Sequence, residues 1–200
     1  MSNQLMKREF QGKEKKSYKM LINDLVIQLN RQMPNVEIVL NKFKQVNVKF
    51  SEKDAYKYLN DNLLSYHGSP VGDRVKDFIE STNISNVGIG SFRFNGKLKK
   101  IETGEEEFAV YNDFYRITSD NNGIIEIISP EEFNDREVLC PSFHIFSLFI
   151  IQYYVLDKNM VSDLPINDTF INESLLNLIE KGFSKRWLAV FLSEFNFKIM

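Results

Sequence analysis

The stretch "CPSFHIFSLFIIQYYVL", Cys140 to Leu156, restricts this chain more than any other. It carries no charged residue, yet it holds the sole cysteine and one of the two histidines. Three arrangements accommodate such a run: a membrane span, a reactive thiol–imidazole pair, or a buried helix. A transmembrane helix needs roughly 20 apolar residues. Phe143 to Leu156 is 14 residues long, contains His144 and Gln152, and is followed by Asp157 and Lys158. It is too short and too polar to span a bilayer. It also lacks the basic face of an interfacial helix. No membrane partner is expected.

Cys140 and His144 are four residues apart, a spacing that shares one helix face. Pro141 follows the cysteine directly, and proline is favoured at a first helical position. Cys140 is therefore expected just ahead of a helix, near its N-cap. A helix N-terminus lowers a thiol pKa. Nucleophilic catalysis also needs an orienting group and an oxyanion site, and no adjacent residue advertises either. His67 lies 73 positions before Cys140, so the soft ligands are few and scattered. Neither a metal nor a cofactor is expected, and Cys140 reads as a small buried hydrophobe.

That leaves the buried helix. Phe143, Phe146, Phe149, Ile150 and Tyr153 recur at three- and four-residue steps, and Ile145, Leu148, Ile151, Tyr154 and Val155 fill much of the rest. A helix apolar nearly all round must be covered on most faces. It is expected to lie between a β-sheet and the C-terminal helices.

At 200 residues, 43% hydrophobic and 26% charged, the chain supports one substantial core. Its 17 Phe and 8 Tyr argue against disorder over most of its length. One cysteine excludes an internal disulfide, and the first 20 residues lack the apolar region of a secretory signal. A cytoplasmic location is expected. Net charge is -2, but residues 1–50 carry ten Lys/Arg against four Asp/Glu, so the remaining 150 are acidic by eight charges. Such a body suits a basic partner, and such a lead suits nucleic acid.

Along the chain, residues 1–17 are polar and expected to be mobile. The spacing of Met20, Leu21, Leu25, Val26 and Leu29 predicts a helix ending before Pro34. Alternation of Val36, Ile38 and Leu40, then of Val46, Val48 and Phe50, predicts two strands or one bent strand. Ser51 with Asp54 opens a helix through Leu64, and a short helix follows around Val75–Ile79, after the loop marked by Gly68, Pro70 and Gly72. The segment 87–129 is β-rich. Asn122-Gly123 predicts a hairpin turn, Asn95-Gly96 a second turn, and Thr103-Gly104 a bend. Residues 163–200 read as a helical extension broken near Gly182. The fold class is α+β: a single domain, 1–200, with a mainly antiparallel twisted sheet packed on the buried helix and flanked by N- and C-terminal helices.

Carboxylates cluster in the β-rich part, and Glu105, Glu106, Glu107, Asp113, Asp120 and Glu126 are the candidate partner-binding residues. "SDNNGIIEI" lacks the ligand register of a calcium loop and reads as a turn. "GSPVGDRVK" lacks the Gly-Lys-Ser/Thr ending of a phosphate loop. "GIG" at Gly88–Gly90 lacks the further glycine of a dinucleotide fingerprint. The mixed basic and aromatic segment "KREFQGKEKKSYK" is short and interrupted by glutamates, a weak nucleic-acid signal.

The span Val87–Leu156 resembles the SUKH superfamily, which gathers bacterial polymorphic-toxin immunity proteins with a fungal regulator of cell-wall synthesis. "VGIGSFRFNG" is similar to that family's glycine-bearing strand and turn. "EFAVYNDFYRI", with Asp113, looks like the next strands, and "NNGIIEIIS" like the hairpin strand after a glycine turn. "EVLCPSFHIFSLFIIQYY" looks like the ending in which a Ser-Phe pair, here Ser142-Phe143, opens a hydrophobic helix. The match covers about a third of the chain. The resemblance implies a non-catalytic module that binds a protein, often a toxin, and blocks it. An acidic surface would suit a nuclease toxin, whose cleft is basic. Two other classes stay open: a small enzyme using clustered carboxylates or Cys140, and a nucleic-acid accessory protein using the basic N-terminal segment.

Overall fold

A computed structural model describes residues 26–27, 29–31, 33–45, 48–65, 75–129, 135–162 and 168–195. The lead 1–17, the loop glycines 68 and 72, and His67 lie outside these residues. Helical backbone at residues 26–27 and 29–31 leads to α1 (Val36–Gln45), α2 (Glu52–Asp61) and α3 (Val75–Ser81). Five strands follow: β1 (Phe92–Lys100), β2 (Glu106–Tyr111), β3 (Tyr115–Ser119), β4 (Ile125–Ile128) and β5 (Arg136–Cys140). Three helices complete the described chain: α4 (Phe143–Ser162), α5 (Asp168–Glu180) and α6 (Lys185–Ser193). The strands form one antiparallel sheet in the order β1-β2-β3-β4-β5. The fold is α+β, as its patterning predicts.

Three local expectations are corrected. Of the segment expected to form strands, Val36–Gln45 is helix α1, and residues 48–50 form no strand. Val36, Val39, Leu40 and Phe43 also fall at steps of three and four, and the Asn35 side chain caps the turn by accepting from the Ile38 backbone N–H at 2.9 Å. Asn95-Gly96 is no turn, because it lies inside the nine-residue β1, where a register shift between Phe94 and Lys99 absorbs the irregularity. The central helix runs 20 residues, past the expected stop at Asp157. Two charges on a packed helix do not end it, and no proline lies between Pro141 and Pro165. No described helix is long and apolar enough to cross a membrane.

Other local signals match their chemistry. Ser51 and Asp54 form a reciprocal capping box on α2. Gly123, between β3 and β4, has φ +83°, a conformation that glycine adopts without steric cost. Gly182, between α5 and α6, has φ +94°.

The aromatic load converges on α4. Phe146 meets the sheet at Phe108, with ring centroids 5.4 Å apart, while Phe149 meets Phe183 of the α5–α6 connection at 4.8 Å. Phe146, Phe149, Tyr153 and Leu156 are fully buried. Each Phe contributes about 1.5–3 kcal/mol through burial. A polar latch adds position: Glu194, capping α6, accepts from the hydroxyls of Tyr153 (2.5 Å), Ser91 (3.0 Å) and Tyr111. Burial, reinforced by Glu194, raises both phenol pKa values above their ordinary value, so these hydroxyls stay donors.

Candidate functional site

The thiol–imidazole pair belongs to the core. Cys140 ends β5 and is fully buried, and its Sγ donates to the Ser142 carbonyl at 3.4 Å. Ser142, not Cys140, caps α4, accepting from the Ile145 N–H at 3.4 Å. Burial pushes the thiol up to about 12, so it is protonated at neutral pH and a poor nucleophile. His144 is half-buried, and burial, with Lys181 assisting, lowers its pKa below the ordinary imidazole value. Among the described residues, no group of three or more His, Cys, Asp and Glu is placed to hold a metal ion.

The sheet's other face is chemically different. Strand alternation turns Phe92, Phe94, Ile117 and Ile127 towards α4, so the intervening residues face away. Register aligns two outward rows across the five strands. One is Lys99, Glu107, Thr118, Glu126 and Val138; the other is Arg93, Val110, Arg116, Ile128 and Arg136. The first row carries one cation and two carboxylates, the second three arginines. Glu107 lies 3.6 Å from both Lys99 and Arg116, and its Oε1 accepts from Asn95 Nδ2 at 3.0 Å. Arg136 pairs with Glu105 and lies 3.6 Å from Glu126. Arg93 pairs with Asp113, whose backbone has φ +59° in the β2–β3 turn.

Four of the six candidate carboxylates, Glu105, Glu107, Asp113 and Glu126, are thus held by cations. The Thr103 hydroxyl and the Arg136 guanidinium hold Glu105 below the usual carboxylate range. Glu126 is displaced the other way: burial raises its pKa, Glu105 and Asp120 add to the rise, and Arg136 opposes it. Glu126 Oε2 and the Oγ1 of its cross-strand neighbour Thr118 are buried without a hydrogen-bond partner among the described residues.

Glu106 and Asp120 lie elsewhere, lining a cleft of about 430 Å³ beside the start of α4, with Lys76, Asn121 and Asn122 at its rim. The Asp120 carboxylate organises the turn: its Oδ1 accepts from the backbone N–H groups of Asn122 (2.9 Å) and Ile124 (2.7 Å). Glu106 makes neither an ion pair nor a side-chain hydrogen bond described in the structure. The carboxylates therefore do not form one acidic patch; they divide between a neutralised lattice and a cleft rim.

A second outward depression, about 590 Å³, is lined by Lys99, Lys100, Glu107, Asp113, Phe114 and Arg116 among others. Its cations carry no weight in a reading based on carboxylates alone. The signal was present in "FRFNGKLKK", where four basic residues occur without an acid. Unbroken alternation would put Arg93, Lys97 and Lys99 on one face; the register shift between Phe94 and Lys99 interrupts it, and the pairing with Glu107 is what places Lys99 outward.

No protein-family model matches the chain, and neither a curated protein nor a solved structure matches it.

Proposed function

We propose that this chain is a non-catalytic protein-binding module of the immunity type implied by the SUKH resemblance, which neutralises a toxin by covering its active cleft. One observation carries the reading. The only thiol is sealed in the core, whereas the sheet's outward face carries a lattice of charged side chains in which Arg93, Asp113 and Lys99 are exposed, with Val138 52% exposed beside them. Pre-paired charges fixed on a rigid sheet suit recognition, because they set register and deter wrong partners with little reorganisation on binding. Glu106, on the cleft rim, has no cation of its own to displace among the described residues. A basic nuclease surface would be met there.

The test is growth rescue. The gene product encoded beside this chain is expressed with and without it. The proposal expects arrest alone and growth together, with a stable complex on copurification. Failure to rescue any adjacent product that arrests growth counts against a toxin partner.

A further inference from the structure

We propose that the outward face and open edge of β1 take up an extended acidic segment of the partner protein. This rests on reading the chain as a protein-binding module, but not on the partner being a toxin. The first argument is charge. Arg93, Lys99 and the neighbouring Arg116 face outward, exposed Lys97 lies two residues from Lys99 on the same strand, and the carboxylates among them are Glu107 and Asp113. Both carboxylates are already engaged, Glu107 by two cations and Asp113 by Arg93. Lys97 is exposed and makes no ion pair among the described residues. A cationic surplus therefore lies along one strand of a chain whose net charge is -2.

The second argument is the strand edge. β5 is closed by α6, where the Ser184 backbone N–H donates to the Leu139 carbonyl at 2.7 Å. β1 is covered only part-way. A Cβ placed on Gly96 would stand 3.4 Å from Ser85 Oγ, so the Ile84–Asn86 turn covers the strand there. Beyond it, no described strand pairs with the outer side of Lys97–Lys100. An added peptide strand would find backbone donors and acceptors on this edge. Its alternate side chains, roughly 7 Å apart, would match the two-residue spacing of Lys97 and Lys99.

The make-up of the groove favours a peptide over a nucleic acid. Single-stranded nucleic acid wants several stacking rings along a continuous cationic track. This groove has one exposed ring, Phe114, and two fixed carboxylates interrupt its cations. An acidic peptide uses the edge, and its intervening residues can lie on Phe114 and Val110.

The experiment uses the full chain and a fluorescently labelled 12-residue peptide alternating Glu and Thr. A Lys/Thr peptide and a single-stranded oligonucleotide of about the same length serve as competing probes. The proposal expects the Glu/Thr peptide to bind best, with affinity falling as salt rises. Lys97→Glu with Lys99→Glu should weaken it at least tenfold while the circular dichroism spectrum remains that of the folded chain. Lys53→Glu, on the exposed surface of α2, should leave it unchanged. Equal binding by the double variant, or tighter binding of the oligonucleotide or the Lys/Thr peptide, overturns the proposal. No binding by the unaltered chain also overturns it, leaving those lysines as charges that only keep an edge strand from self-pairing. Rescue of growth alongside failed peptide binding removes this inference alone; peptide binding without rescue removes the toxin reading alone.

Discussion

The two faces of one sheet solve opposite problems. The inner face buries Phe92, Phe94, Phe108 and Ile117 against a helix that is aromatic on several sides. The outer face, on the same strands, places Lys99, Glu107, Arg116, Glu126 and Arg136 in register. One face holds the fold through area removed from water. The other adds little through its exposed pairs, such as Arg93 with Asp113, each worth about 0–1 kcal/mol, yet it displays a fixed pattern of charge. Stability and the proposed recognition are therefore expected to separate by mutation.

The largest effect is expected where the inner face meets α4. Phe149 touches Phe92, Tyr153, Phe183 and Phe191. Phe149→Ala should cost about 3–5 kcal/mol in urea unfolding. A loss below about 1 kcal/mol would mean that α4 is not the centre of the core.

A smaller loss is expected at Gly90, which has φ +48° and would place a Cβ 2.6 Å from Tyr153 Cε1. Gly90→Ala should cost about 1–3 kcal/mol through backbone strain and overpacking. A calorimetric melting temperature equal to that of the unaltered chain would contradict this.

On the outer face the sign reverses. Burial raises the Glu126 pKa in the fold, so the folded state favours the protonated acid. That contribution is present at low pH and is lost as pH rises through the folded value. Glu126→Gln removes the charge and supplies a donor for Thr118 Oγ1. It should stabilise the chain by about 1 kcal/mol at neutral pH, with the advantage shrinking as pH falls. Chemical denaturation across pH checks both sign and trend. Smallest of all, Arg93→Ala removes an ion pair whose partners are about 70% and 68% exposed. It should shift stability by less than about 1 kcal/mol.

The α4 helix was legible because its evidence is local: a long uncharged run with helical spacing that ends in charges. The Asn122-Gly123 turn was legible for the same reason. Val36–Leu40 misled because three apolar residues at alternate positions satisfy strand spacing, while Val39 and Phe43 satisfy helix spacing just as well, and tertiary packing decided. Asn95-Gly96 misled because a strand irregularity uses the same residues as a turn. The pairing of Glu107 with Lys99 and Arg116 had no local trace. It depends on register across three strands and on shifts between Phe94 and Lys99 and between Glu107 and Ala109. A count of carboxylates therefore could not show that cations stand beside them.

The most direct test scores growth rescue for two folded variants side by side. The account predicts that Cys140→Ala rescues as well as the unaltered chain, whereas Lys97→Glu with Lys99→Glu does not. Loss of rescue in the cysteine variant, with rescue retained in the charge-reversed one, would place the working chemistry in the core and contradict the account.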